Sequence, residues 1–466
     1  MRERLQTMLW AALLISLPVT SFQYFPGGFG GRVQVAPLAL YPLSALVLVG
    51  VLPALWEKRL PRVLLPLWAF VGVVAISLAL SFSEPIQPLF GVTQVSRTVR
   101  AVLALGMGIA FYLAFALVPT TLPDLRRSLR WLYAGFAVAF VWGTLQATQV
   151  IAFYRPLFVW IRDTHEIFFA GKLFRTRISG MALEPSWFAE QIVFLLLPWL
   201  FASVLTDSTV FRWRWRRVTV EALMAAWGVV LLIFTYSRVG LVGMLGLVGL
   251  SVLLYRPART SEKVFSWRRL GTAVGIIAGL LVVVLIAGSQ NNYFSRMWRF
   301  FSDEERIGNY WSYIAFGQRF LYWETAFNIY EENPLTGVGI GNYAFFVEDA
   351  FPDVPLFVYP EALGYMIPRE GRANLLTPKG LFPKIIAETG LFGLGTFLAF
   401  VVMVGGYVFY LWRSPDPEEH FWGAGGILGG AAFVLFAFST DSFALPNMWM
   451  YFGLITAAFR LASKTV

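Results

Sequence analysis

The chain has no cysteine, only two histidines and, across 466 residues, only 14% charged side chains. Each shortage closes off a class of chemistry. Without thiols there is no disulfide, no thiolate nucleophile and no thiolate metal site, and two imidazoles leave little for zinc. No metal and no cofactor is therefore expected. The scarcity of charge, set against 58% apolar residues with 18 Trp, 18 Tyr and 43 Phe, excludes a soluble enzyme, a disordered chain and a fibrous one. There is also no Gly-x-x-x-x-Gly-Lys-Ser/Thr run to cradle a phosphate.

What is present is apolar length. Roughly a dozen windows of about 18 or more residues are nearly free of charge, and each can cross a hydrocarbon core about 30 Å thick as a helix. In lipid the backbone must pair within the segment, so these windows predict helices. They fall near Met8–Phe22, Val35–Trp56, Val63–Phe82, Val99–Val118, Leu132–Ile151, Trp187–Leu205, Val220–Tyr236, Val239–Tyr255, Thr272–Gly288, Ile385–Trp412, Gly423–Phe438 and Met448–Leu461. The expectation is an all-α polytopic membrane protein of about twelve transmembrane helices, one membrane domain over 1–466. The formal charge of +10 then orients the chain and does not point to nucleic acid. With a cytoplasmic N-terminus, the inner segments collect Arg2, Arg4, Lys58, Arg59, Arg62, Arg126, Arg127, Arg130, the cluster Arg212, Arg214, Arg216 and Arg217, then Arg256, Arg259, Lys263, Arg268, Arg269, Arg413, Arg460 and Lys464. Both termini are thereby placed inside. Thr20-Ser21-Phe22 offers no small-x-small cleavage site, so the first span reads as a retained helix.

No inner loop exceeds about 15 residues, which leaves no room for a nucleotide-binding domain and none for direct use of a nucleotide sugar in the cytoplasm. The space lies outside, in a smaller loop over 152–186 and a large one over 289–384 before the tenth helix. Long loops of this kind tend to carry function. Ionisable groups near the membrane from that side are the candidates for chemistry. Arg97 and Arg100 share a helix face at the outer start of the fourth span, where both an anion site and simple snorkelling fit. Arg175 and Arg177 precede Glu184-Pro185, which resembles a helix start, so Glu184 reads either as a cap or as a working carboxylate. Thr235-Tyr236-Ser237-Arg238-Val239-Gly240 is a tight turn that sets one guanidinium at a helix N-terminus, a pairing suited to phosphate oxygens.

In the large loop, Phe320, Trp323, Phe327 and Tyr330 recur at helical spacing beside Arg319 and Glu324, as in an amphipathic helix lying along the membrane. It should stop at Asn333-Pro334 and run into Gly337-Val338-Gly339-Ile340-Gly341-Asn342, whose glycines permit close backbone approach. The loop holds more acidic than basic residues, so any anion site in it depends on individual side chains and not on a polybasic patch.

Three stretches resemble the bacterial O-antigen ligase and O-antigen polymerase superfamily. Thr235-Tyr236-Ser237-Arg238-Val239-Gly240 is similar to that family's short Ser-Arg-Gly turn. Gly317-Gln318-Arg319 through Trp323, followed by Asn333-Pro334-Leu335-Thr336-Gly337-Val338-Gly339, is similar to its Arg, Trp and Asn-Pro-x-x-Gly-x-Gly pattern. Ile386-Ala387-Glu388-Thr389-Gly390-Leu391-Phe392-Gly393 is similar to its Ala-Glu-Thr-Gly-Leu-Leu-Gly. The ligase branch carries a His-Asn pair where this chain has Lys379 and Gly380, and Arg177-x-x-Gly-x-x-x-Glu-Pro-Ser looks like the polymerase branch. The resemblance implies a glycosyltransferase C-like fold and polymerisation of repeat units carried on undecaprenyl pyrophosphate, at the outer face of the inner membrane, with a chain-length regulator as a further partner. Ligation to lipid A-core is the alternative.

The chemistry agrees. A lipid pyrophosphate leaving group needs its charge met, and guanidinium groups can do this without a metal. Arg238 and Arg319 are the first candidates, with Arg97, Arg100, Arg175, Arg177, Trp323 and Asn342 as further substrate contacts. Glu184 is the first candidate for proton acceptor and Lys379 the second; a Lys in that role needs a depressed pKa. A secondary transporter would gather polar groups near the midplane and a flippase would need a polar path to both leaflets, and neither pattern is seen.

Overall fold

The computed structural model describes residues 2–24, 36–57, 61–83, 85–216, 218–255, 267–289, 291, 295, 299, 301, 310–313, 316–367 and 375–463. Lys58, Arg59, Arg217, Arg256, Arg259, Lys263 and Lys464, named above as inner charges, lie outside the described residues, as do the side chains of Arg268 and Arg269. Helix accounts for 74% of the structure and strand for 2%, so the fold is all-α.

In chain order the helices are α1 (Arg2–Ser16), α2 (Leu40–Leu46), α3 (Leu52–Glu57), α4 (Leu64–Ser81), α5 (Gln94–Leu117), α6 (Leu122–Ile151) and α7 (Arg155–Phe168). After them come α8 (Pro185–Glu190), α9 (Leu197–Leu205), α10 (Val220–Thr235), α11 (Arg238–Leu254), α12 (Trp267–Ser289) and α13 (Tyr310–Tyr313). The last six are α14 (Gly317–Glu332), α15 (Val347–Ala350), α16 (Pro360–Met366), α17 (Leu381–Arg413), α18 (Pro417–Ala437) and α19 (Pro446–Ala462). Turns of π-helix over Val47–Val51 and Gln191–Leu196 join α2 to α3 and α8 to α9. A two-residue hairpin pairs Arg214–Trp215 with Val218–Thr219.

Each of the twelve apolar windows contains helix, although the first leaves it after Ser16 and the second enters it only at Leu40; among the described residues, six helices are long and apolar enough to cross a membrane: α4, α5, α6, α8–α9, α17 and α18. Their starts are written in the sequence. Thr93, Thr121, Thr219 and Ser237 each accept a hydrogen bond from a backbone N–H in the first turn, and Asp416 accepts two. These caps satisfy donors that a helix leaves unpaired.

In lipid, apolar area alone gives helices no reason to associate, so close packing and polar contacts hold the bundle. At Gly135 of α6 an added Cβ would run into the backbone of Ile15, so α1 and α6 touch main chain to main chain. α8–α9 is the most buried of these helices, with Trp199 against Trp422 at 5.2 Å between ring centroids, whereas much of α4 and of the later part of α17 is exposed. Away from the cavity described below, Arg126 meets Glu418 at 3.3 Å and lies over the Phe421 ring, while Arg460 donates to the carbonyls of Ala116 and Pro119.

The segment 316–387 builds a smaller core of its own, with Tyr322, Ala326, Ile329, Val338, Tyr343, Val347 and Leu376 packed around Ala387. Helix α14 forms as its spacing predicts and ends at Asn333. Its buried face is Leu321, Tyr322, Thr325, Ala326 and Ile329, while Phe320 and Phe327 are half exposed, so the aromatic stripe points away from the core.

Candidate active site

The site rests on a broken helix. Within α17, Gly390 sits at φ 62°, ψ −163°, conformations open to glycine and hostile to a Cβ. The break frees backbone groups, and the glycine-rich run pairs with them. Val338 and Gly339 N–H groups donate to the carbonyls of Ala387 and Glu388 at 3.1 and 2.9 Å, and Leu391 and Phe392 N–H groups donate to Pro334 and Leu335 at 2.9 and 3.2 Å. Ser77 Oγ adds a bond to the Glu388 carbonyl at 2.9 Å. Two of the sequence stretches singled out above are thus one structural unit, whose backbone groups pair with one another across the break.

Beside this unit lies a cavity of about 350 Å³ at the end of the bundle where α5, α8, α11 and α19 begin and α18 ends. Arg97, Glu184, Ser186, Trp187, Glu190, Ser237, Arg319, Tyr365, Lys379, Ser439, Thr440 and Asp441 line it. Arg319 Nη1 donates to the Lys379 and Ser439 carbonyls, each at 3.1 Å, clipping the segment before α17 to the linker between α18 and α19. Its remaining N–H groups have no partner among the described residues. Burial lowers the Arg319 pKa, with Glu361 and Asp441 opposing, yet a guanidinium stays charged.

Lys379 has left-handed backbone, φ 54°, fixed by its own N–H donating to Asp441 Oδ2 at 3.1 Å. Burial pulls its ammonium down, but Tyr365, Asp441 and Glu361 together outweigh that, and its pKa is raised. Glu361 Oε1 lies 3.8 Å from Nζ, and Nζ sits 5.4 Å from the centre of the Tyr365 ring. The environment thus favours the charged form of Lys379. Arg97 holds the Gly341 carbonyl through Nε at 3.3 Å. Glu184 is exposed at the start of α8 and accepts from Ser186 Oγ at 3.3 Å.

Arg97, Glu184, Arg319 and Lys379 therefore meet in one cavity. The other six predicted residues are not among its lining residues. Arg238 occupies the first turn of α11 after the Ser237 cap, next to lining residues on both sides. Arg100 lies one turn after Arg97. Arg177 is used to close α10, donating through Nε to the Thr235 carbonyl at 3.0 Å. Arg175 lies 4.3 Å from the centre of the Phe153 ring. Asn342 is fully buried and donates to the Val338 carbonyl within the glycine run. Trp323 packs its ring against Phe320 and Phe438, and its indole N–H is buried behind Gly380 without an acceptor among the described residues.

Two acids escaped the sequence reading. Glu190 is buried inside an apolar span, with Oε2 accepting from Thr440 Oγ1 at 2.8 Å and Oε1 from Asn447 Nδ2 at 2.9 Å. Asp441 sits in the short linker after α18 and fixes Lys379. The signal that finds Glu190 is the rarity of carboxylates within spans, where such groups are costly and kept for a reason.

Among the described residues, no group of three or more His, Asp and Glu side chains is arranged to hold a metal ion. No curated protein matches the chain. Residues 223–398, which contain the Arg238 turn, α14, the glycine run and the break in α17, match the family model described as O-antigen ligase.

Proposed function

We propose that the protein is a membrane glycosyltransferase that polymerises oligosaccharide repeat units carried on undecaprenyl pyrophosphate, working at the outer face of the bacterial inner membrane. The observation that carries this reading is the single cavity in which Arg97, Arg319 and Lys379 stand beside Glu184. In the reaction an acceptor hydroxyl forms a bond to the anomeric carbon, the bond from that carbon to the pyrophosphate oxygen breaks, and the electron pair leaves with the pyrophosphate. Arg319, Arg97 and Lys379 meet that developing charge in a recessed setting where each donor counts for more than in water. Arg238, at the N-terminus of α11, adds to the same field from the rim. Glu184 takes the hydroxyl proton.

The sidedness in this reading is the one the distribution of basic residues supports: about twelve spans, both termini in the cytoplasm, and the segments 152–186 and 289–384 outside. Transfer to lipid A-core is the second reading, favoured by the description of the matching family. Lys379 and Gly380, in the place of the ligase branch's His-Asn pair, support the polymerase. The test is reconstitution of the purified protein with a lipid-pyrophosphate-linked repeat unit, with products resolved by size, in the presence and absence of EDTA. A ladder that persists in EDTA supports the polymerase. One transfer that requires added lipid A-core supports the ligase, and loss of all transfer in EDTA would overturn the guanidinium mechanism.

A further inference from the structure

A second cavity, of about 580 Å³, adjoins the first: Tyr365 and Leu375 line both. Its chemistry is different. Where the first cavity sets Arg97, Arg319 and Lys379 among Glu184, Glu190 and Asp441, the described residues lining the second include no Lys and no Arg; they are mainly aromatic and aliphatic, with the carboxylates Glu348 and Asp353. Phe345 comes from the small core of 316–387, and Phe90 comes from the linker between α4 and α5, held there with positive φ by a bridge between Leu89 and Val92. Both walls are thus on fixed backbone.

We infer that this second cavity is a saccharide subsite, which takes sugar rings of the acceptor glycan while the first cavity holds the pyrophosphate. The inference rests on the glycosyl-transfer reading above. A pyranose presents C–H faces that pack on aromatic rings and hydroxyls that donate to carboxylates, the combination that Phe90, Phe345, Glu348 and Asp353 offer. A phosphate would meet these two acids with no cation among the described lining residues to offset them, and an alkyl chain would make no use of their hydrogen-bonding capacity. The shared wall at Tyr365 lets a chain bound in the second cavity present its terminal hydroxyl to the first.

The experiment uses the full-length protein in lipid nanodiscs and, as probe, a lipid-free oligosaccharide released by mild acid from the source organism's surface polysaccharide. Binding is read by saturation-transfer NMR and calorimetry for the wild type, Phe345→Ala, the isosteric double variant Glu348→Gln/Asp353→Asn, and Arg319→Ala. The expected result is binding to the wild type and to Arg319→Ala alike, weakened at least tenfold in the other two. Equal binding in all four, or none to the wild type, overturns the subsite, as does displacement of a fluorescent fatty acid with no response to the saccharide. Thermal unfolding of the double variant, whose two sites are exposed, checks that a loss is local. A parallel transfer assay separates the two claims: saccharide binding without any transfer overturns the enzymatic reading and leaves the subsite standing.

Discussion

Arg319 does two jobs with one side chain. It ties the carbonyls of Lys379 and Ser439 together through Nη1 and keeps its other N–H groups for the cavity. Arg319→Ala removes both, and removal of a single such donor elsewhere costs on the order of 10²–10³ in rate. We expect a loss of at least that size in the transfer assay, with Arg319→Lys recovering only a small part, because an ammonium restores charge without the planar fork. Rescue to near wild type by Lys would reduce the residue to a point charge. His165 makes a different prediction. Burial lowers its pKa to about 4, Trp142 Nε1 donates to its Nδ1 at 3.3 Å, and its Nε2 has no partner among the described residues. The unfolded chain binds a proton near pH 6.5 and the folded chain only near 4. Stability is therefore full above about pH 6.5, falls by about 1.4 kcal/mol per pH unit as the pH drops through that window, and levels off below about 4. The thermal midpoint should fall on acidification, and His165→Phe should flatten that slope; an unchanged slope would remove His165 as its source. At this scale the sequence brought Arg97, at a span boundary, and Arg319, in the large loop, to attention, and both line the cavity. It did not show which polar groups bond the backbone, as Asn342 does at Val338 and Arg177 does at Thr235.

Among the elements, the joint between the glycine run and α17 is the most exacting. A Cβ on Gly390 would strike the Leu335 carbonyl carbon and oxygen, and one on Gly337 would strike the backbone of Glu388. Both residues also have positive φ. Gly390→Ala should cost at least the 1–3 kcal/mol typical of such backbone strain, and more if the four joining bonds are lost. The checks are a lower unfolding temperature and loss of transfer, with Gly395→Ala, where nothing lies within 4 Å, as the neutral control. If Gly390→Ala unfolds like wild type, the joint is not what holds the site. Helix positions were legible because apolar length and caps are local signals: the window Val63–Phe82 became Leu64–Ser81. The joint was not, since nothing local says that Val338 pairs with Ala387.

For the whole molecule, the absence of cysteine becomes an experimental convenience, because any introduced thiol is unique. Gln87→Cys, in the linker beside Phe90, should react with a membrane-impermeant maleimide in intact spheroplasts. Ser463→Cys, after α19, should react only once the cells are lysed. The reverse pattern would invert the sidedness and move the site to the cytoplasm. Both positions are exposed, so silence at both would not be expected from either orientation. The broken helix also bears on how the protein is made. A helix with an interrupted ladder enters hydrocarbon with unpaired carbonyls, an expensive state if it must enter alone. Here the partner segment, Pro334–Gly339, precedes α17 in the chain and is already synthesised when α17 leaves the ribosome. The order of translation thus supplies the complement before the need for it arises, and a circular permutant that places α17 ahead of the glycine run would have to insert that helix with its break exposed.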